Sequence, residues 1–160
     1  MTTEIQYHKA SMNDLQLLIH SRVDFLKDYW GPQPSETENT LREQLKLYFE
    51  KVVKGGSYQC WYATINNEFA GVGGMVIMQR PGSFRAPQGI SGYIMNMYTV
   101  PKHRKKGIAG TILQKLMQTG EMMNVQFFEL HATKEGEPVY IKAGFNLHKE
   151  PTYRKFVGSI

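Results

Sequence analysis

The 160-residue sequence lacks several features that would place it in a particular class of protein. A single cysteine, Cys60, excludes an internal disulfide and is typical of a reducing compartment. No apolar run is long enough to span a membrane, and the first residues lack the basic and apolar regions of a signal peptide. We therefore expect a cytoplasmic protein without a membrane partner.

Other absences narrow the chemistry. The histidines and carboxylates do not cluster at metal-ligand spacings, so we expect no metal. Cys60 lies in an aromatic segment, where we expect a buried apolar side chain rather than a catalytic thiol. Because no repeat, low-complexity segment or linker is visible, we expect one domain over residues 1–160. The net charge of +5 suits an anionic partner, and charge alone does not separate a phosphate cofactor from nucleic acid.

One stretch, residues 93–117, organises the rest of the chain. An apolar run predicts a buried strand to Val100, a basic turn follows, and helical spacing begins near Gly107. The first amides of a helix have no partner inside the helix and carry partial positive charge, so the sequence predicts a pyrophosphate cradle there. The stretch lacks the glycine and lysine pattern of a nucleotide-hydrolase loop and the three-glycine pattern of a dinucleotide fold.

Two motifs in this order carry a family resemblance. Val100-Pro101 followed by Arg104-x-x-Gly107-x-Ala109 resembles the acetyl-CoA-binding motif of the GCN5-related N-acetyltransferases (GNAT family). Downstream, Tyr140-x-x-x-Gly144-Phe145 resembles the closing segment of the same family. The resemblance implies acetyl-CoA as cosubstrate. The implied cofactor-binding residues are Tyr98, Thr99, Val100, Arg104, Lys105, Lys106, Gly107, Ile108, Ala109, Gly110 and Thr111.

The resemblance and the hydrophobic periodicity together predict an α/β (α+β) GNAT fold. We expect a twisted, mixed and mostly antiparallel sheet of about six or seven strands with about four helices. The predicted order is strand, two helices, three strands, helix, strand, helix and two closing strands. The family also implies a bulge in the central strand, and a gap beside it for the cofactor's pantetheine arm. Predicted helices cover about 12–30, 37–54 and 107–123, with a short fourth helix between Pro138 and Gly144. Predicted strands cover 4–9, 57–65, 68–79, 92–99, 127–132, 145–148 and 152–157.

Acetyl transfer to an amine needs an acid, an oxyanion donor and a neutral amine. The family places a tyrosine near the cofactor sulfur, so Tyr140 is the candidate acid for the departing thiolate. A backbone amide near Tyr98 is the candidate oxyanion donor. The base stays open between His131, with Glu129 on the same strand face, and a water chain without a single base. Asn96 could orient the amine.

The acceptor is less defined than the donor. Trp30 and Phe84 lie in segments that line the acceptor pocket in this family, and Asn96 lies on the central strand. We expect a monomer or homodimer that transfers acetyl to a primary amine of a small molecule or protein. Aminoacyl-tRNA is a second acceptor class, ranked lower because several basic residues belong to the predicted cradle. A CoA-binding regulatory module without turnover is the third alternative.

Overall fold

A mixed sheet with helices on both faces forms the framework of the computed structural model, which describes residues 3–158. The strands lie in chain order across the sheet, antiparallel except for the last pair, which is parallel. They are β1 (Ile5–Lys9), β2 (Tyr58–Ile65), β3 (Glu68–Gln79), β4 (Ile90–Thr99) and β5 (Phe127–Glu129). The helices are α1 (Leu15–Trp30), α2 (Ser35–Lys54), α3 (Ile108–Met122) and α4 (Glu137–Lys142).

Local sequence signals set most of these boundaries as predicted. Ser11 and Asp14 form a capping box before α1, in which the Asn13 amide donates to the Ser11 hydroxyl at 3.2 Å. Gly31, with φ 83°, ends that helix before Pro32. None of the helices in residues 3–158 combines the length and apolar composition that a membrane span needs.

Two apolar layers cover the sheet. On one face α3 packs against β2, β3 and β4 through buried side chains such as Ile112, Leu113 and Leu116. On the other face α1 and α2 pack over residues such as Tyr58 and Cys60. Cys60 is 3% exposed and burial raises the pKa of its thiol, as expected for a packing role rather than a nucleophile.

A bulge in β4 places two consecutive side chains on the same face of the sheet. The register with β3 shifts between Tyr98 and Met95, and Asn96 takes a φ of 55°, which asparagine tolerates better than most residues. Met95 and Asn96 consequently both face α1 and α2. On the other face, a Cβ on Gly73 would lie 2.5 Å from the Met97 sulfur and 2.6 Å from a methyl carbon of Ile112, so a side chain there would force its packed neighbours to shift.

Just before this bulge, beyond Tyr93, β4 separates from β5. The parallel pairing covers only residues 91–93 of β4 against 127–129 of β5. Tyr93 is therefore the last paired residue, and the rest of β4 up to Thr99 borders a gap. The bulge and gap that the resemblance implied are both present.

The closing hairpin predicted at 145–148 and 152–157 is wrong. Residues 143–158 form no strand, so the described part of the sheet has five strands rather than six or seven. The edge strand β5 is three residues long and offers little backbone for pairing. Pro151 has no amide to donate in the middle of the segment, and its large apolar side chains, such as Leu147 and Tyr153, are exposed rather than packed on the sheet.

Candidate active site

The loop before α3 presents free backbone amides. Lys105 and Gly107 have positive φ values of 62° and 78°, and the helix begins at Ile108. Within the described chain, the first amide after Arg104 that donates to a backbone carbonyl is that of Thr111, 3.1 Å from the Gly107 oxygen. Six consecutive amides, at positions 105–110, are thus available to a ligand. A Cβ on Gly107 would meet nothing within 4 Å, so the space above them is open.

The four basic side chains of this loop are not equivalent. Lys102 forms an ion pair with Glu68 at 2.8 Å. The Arg104 guanidinium lies 3.0 Å from Asp28 of α1 and also donates to the Thr99 carbonyl at 2.9 Å. Lys105 and Lys106 form no ion pair with a carboxylate of residues 3–158. The free amides and these two lysines fit the pyrophosphate of acetyl-CoA.

Other predicted cofactor residues contribute through the backbone or are already bonded. Ile108 is 1% exposed and packs into the core, so its amide is the part open to a ligand. The Val100 amide donates to Ala70 at 2.9 Å, and the Thr111 hydroxyl donates to the Gly107 carbonyl at 3.1 Å. Tyr98 lies edge-on to Phe25, at 6.4 Å between ring centroids. Ala109 and Gly110 belong to the first turn of α3.

Tyr140 lies on α4, on the face of the sheet that α3 covers. Its ring packs against the core there and lies edge-on to Phe145, 6.1 Å between centroids. Burial is the main reason that the pKa of Tyr140 is raised, and the phenol of Tyr93 adds to the effect. The phenol therefore stays protonated at neutral pH, as a proton donor must.

His131 lies on the opposite face, just beyond the end of β5. Its Nδ1 is 2.7 Å from the Tyr93 hydroxyl, and its Nε2 is 3.1 Å from the hydroxyl of Thr152. The Thr152 hydroxyl can accept from Nε2, which leaves Nδ1 to accept from Tyr93. Glu129, on the same face, is paired with Arg80 and is therefore less suited to be the base.

Tyr93 is a residue that the sequence reasoning missed. Burial is the largest cause of its raised pKa, with Glu129 adding to the rise and the charges of Arg154 and Arg22 opposing it. A signal for it existed in the sequence. Because Tyr93 and His131 lie at like-facing positions of neighbouring strands, strand alternation alone could have paired them.

Asn96 belongs to a network that was also missed. Its amide oxygen accepts from Arg22 of α1 at 2.7 Å, and its amide nitrogen donates to the Tyr58 hydroxyl at 2.9 Å. Trp30 is not part of this network and lines a groove of about 360 Å³ between α1 and α2. Phe84 is fully exposed on the loop between β3 and β4.

The site as a whole has two sides. The gap beyond Tyr93 lies between β4 and β5. Tyr140 packs on the α3 face of the sheet, and Tyr93 with His131 lies on the other face. Among residues 3–158, no group of three or more histidines, cysteines or carboxylates is placed to hold a metal ion. The arrangement suits acyl transfer from a phosphate-bearing thioester.

Comparisons with known proteins agree with this arrangement. The family model described as acetyltransferase (GNAT) domain matches residues 29–159. No curated protein matches the chain. A solved structure described as a predicted acetyltransferase with acetyl-CoA, from Clostridium acetobutylicum, is 31% identical with a TM-score of 0.86 and covers 95% of this chain and 96% of that one.

Two further structures share the fold at lower identity. A GCN5-related N-acetyltransferase from Ralstonia eutropha is 22% identical, with a TM-score of 0.82 over 95% of this chain and 99% of that one. Glucosamine-6-phosphate N-acetyltransferase from Arabidopsis thaliana is 17% identical, with a TM-score of 0.72 over 96% and 99%. With the family model matching most of the sequence and the cradle and gap in place, the chain belongs to the GNAT acetyltransferase family.

Proposed function

We propose that this acetyltransferase transfers the acetyl group of acetyl-CoA to a primary amine by direct attack in a ternary complex. The observation that carries the proposal is the gap between β4 and β5, which has a phenol on one face and a phenol–imidazole pair on the other. A donor lying in the gap would be open to an amine from the α1 and α2 side. Because these groups lie on opposite faces, the acid and the base need not compete for one position.

His131 is the proposed base, acting through Tyr93. The hydroxyl of Tyr93 donates to Nδ1 of His131 at 2.7 Å, and its oxygen keeps a lone pair for a proton from the amine. As the new N–C bond forms, the amine loses a proton to the Tyr93 oxygen and the Tyr93 proton moves to Nδ1. His131 is exposed and can return that proton to water.

Tyr140 is the proposed acid. Acetyl-CoA supplies a thioester carbonyl that is already activated towards amines. The Tyr140 hydroxyl donates its proton to the sulfur as the C–S bond breaks, and it recovers a proton from solvent. A backbone amide of β4 near Tyr98 is the proposed donor to the oxyanion. No acyl-enzyme is needed, which agrees with the burial of Cys60.

The acceptor is proposed to be a small molecule or a protein amine, with nucleic acid ranked below both. Five of the 19 lysines and arginines form ion pairs with carboxylates, namely Lys27, Arg42, Arg80, Lys102 and Arg104, and Lys105 and Lys106 belong to the proposed cradle. A broad basic face for nucleic acid is therefore not favoured. The cytoplasmic location, the single domain and the monomeric or homodimeric state stay predictions.

The test is calorimetric titration with acetyl-CoA, followed by thiol release against a panel of amines. We expect binding, and release that depends on the amine. Binding without release from any amine or peptide would contradict the proposed transfer and favour a regulatory CoA-binding module. Release only with aminoacyl-tRNA, steeply sensitive to salt, would replace the acceptor class.

A further inference from the structure

Arg22 of α1 carries a charge that the fold does not balance. Its guanidinium is partly buried, 2.7 Å from the neutral Asn96 oxygen and 5.7 Å from the centre of the Phe25 ring. It forms an ion pair with none of the carboxylates of residues 3–158. A guanidinium has five N–H donors, so one amide oxygen leaves most of them unused.

An unpaired charge is unusual even for a partly buried side chain. Burial is the largest cause of a lowered Arg22 pKa, opposed by the phenols of Tyr58, Tyr93 and Tyr48. Cations withdrawn from water are normally paired, because an anion then compensates for the lost hydration. The polar neighbours of Arg22 are these phenols and the Asn96 amide, and none of residues 3–158 places a carboxylate within ion-pair distance of it.

The position of Arg22 connects it to the acceptor side of the site. Asn96 lies in the bulge of β4, where the gap opens, and Tyr93 is the last residue before it. The charge of Arg22 acts on Tyr93 from α1, and that of Arg154 acts on it from the C-terminal segment. Both charges therefore oppose the rise in the pKa of the phenol that is proposed to receive the amine's proton.

The acidic residues of α1 and α2 do not pair with Arg22. Asp28 is held by Arg104 at 3.0 Å, and Glu38 is held by Lys27 at 3.3 Å and Arg42 at 2.9 Å. The other carboxylates of the two helices, Asp24, Glu36, Glu43 and Glu50, form no ion pair within residues 3–158. The guanidinium of Arg22 is therefore left for a negatively charged group from outside the fold.

We propose that Arg22 binds an anionic group of the acceptor, so that the substrate is a primary amine carrying a carboxylate or phosphate on the same molecule. This rests on the proposed transferase function and adds a substrate class to it. The anion would take the guanidinium donors that Asn96 leaves free. The amine of the same molecule would then lie beside Tyr93.

Asn96→Asp is the sharpest variant. It keeps the shape of the side chain and places a carboxylate oxygen where an amide oxygen now lies 2.7 Å from Arg22. The protein's own carboxylate then competes with the acceptor's anion. Arg22→Gln removes the charge instead, and Lys46→Gln, on the exposed surface of α2, is the control for the loss of one positive charge.

The readout is a ratio rather than a rate, because both variants also touch the bulge. Matched pairs are β-alanine with its amide for the carboxylate and O-phosphoethanolamine with ethanolamine for the phosphate. In the native protein and in Lys46→Gln, we expect the anionic member to have the higher kcat/KM by about tenfold or more, the value of a charge-assisted hydrogen bond. In Asn96→Asp and Arg22→Gln the ratio should fall to about one. An equal loss for both members of each pair would instead make Arg22 only a brace for the bulge and overturn the proposal.

A binding experiment separates this inference from the transferase function. Protein saturated with CoA, so that the α3 loop is filled, is titrated with inorganic phosphate or acetate and followed by NMR. We expect saturable binding that Asn96→Asp abolishes. Binding of equal strength to both proteins, or none to either, would overturn the anion site. Thiol release absent with every amine would contradict the transferase function alone, because the titration still decides the role of Arg22.

Discussion

The two sides of the gap between β4 and β5 differ in kind, because one consists of backbone amides and the other of side chains. On the donor side, residues 105–110 offer backbone amides in one continuous stretch, with Gly107 leaving the space open. On the acceptor side, side chains meet from distant parts of the chain, with 74 residues separating Arg22 from Asn96 and 38 separating Tyr93 from His131. A backbone site accepts any residues that permit its geometry, whereas a side-chain site depends on particular groups.

The difference determines how each side should respond to substitution. Removing one side chain from the donor loop leaves its amides in place, so bulk and negative charge are needed to disable it. On the acceptor side, removing one atom of a hydrogen-bonded pair should lower kcat and leave the affinity for acetyl-CoA unchanged.

Gly107→Glu should have the largest effect. The side chain would enter the open space above the free amides and put a negative charge where the pyrophosphate belongs. We expect calorimetry to show acetyl-CoA affinity weakened by about a hundredfold or more, from lost phosphate contacts and charge repulsion together.

Gly107→Gln is its matched control. Both substitutions impose the same strain at φ 78° and add similar bulk, so circular dichroism and melting should show the same modest loss of stability. The glutamine variant should retain more affinity. If both variants bound acetyl-CoA as tightly as the native protein, the amides at 105–110 would not be the pyrophosphate site.

Tyr140→Phe should come next, and it should leave the donor side intact. We expect kcat to fall by about a hundredfold, the lower end of general acid catalysis, with acetyl-CoA affinity unchanged. Because burial raises the pKa of Tyr140 above its ordinary 10.0, the native enzyme should not lose this acid as pH rises to 10. Tyr29→Phe, at a phenol 59% exposed on α1, serves as control. A Tyr140→Phe enzyme with native turnover would remove Tyr140 from the chemistry.

The same contrast explains what could be predicted from the sequence. The donor loop and the order of elements up to α4 follow from local signals such as the motif at Arg104–Ala109 and the capping box at Ser11. Strand alternation predicted that His131 shares a face with Glu129, and His131 contacts Tyr93 on that face although β5 ends at Glu129. The partners of His131 and Asn96 could not be predicted, because contacts across 38 or 74 residues depend on how helices pack on the sheet. The predicted closing hairpin failed for a related reason, since an alternating pattern forms a strand only where an edge exists to pair with it.

Tyr93→Phe tests the acceptor side directly. The variant keeps the ring and removes the hydroxyl that lies 2.7 Å from His131, so the proposed proton path is broken without a cavity. We expect kcat to fall by about tenfold, because water can partly replace the hydroxyl. Acetyl-CoA affinity should not change.

Tyr62→Phe controls for the loss of a bonded phenol elsewhere on the same face, where Tyr62 donates to Asp14 at 3.2 Å. His131→Gln sharpens the result. If His131 is the base, this variant should lower kcat by about tenfold, as Tyr93→Phe does, because the proton of Tyr93 then has no imidazole to receive it. Native turnover in His131→Gln would favour the water chain without a single base.

Arg104 should give the smallest effect, and it tests whether the two sides are separate. The family motif predicts that Arg104 binds the cofactor, yet its guanidinium is held by Asp28 of α1 and by the Thr99 carbonyl. If that contact persists with acetyl-CoA bound, Arg104→Gln should weaken affinity by less than about threefold, as expected for a half-exposed ion pair that is not aimed at the ligand. Lys105→Gln, which removes a cation with no described partner, should weaken affinity more.

The Asp28→Asn variant decides whether the two sides are coupled, because it frees the Arg104 guanidinium to turn towards the phosphates. Tighter acetyl-CoA binding in Asp28→Asn would mean that α1 withholds a donor-side cation, and that occupancy of the acceptor helices can alter the donor site. Unchanged binding would mean that Arg104 only ties the loop to α1 and that the two sides work independently.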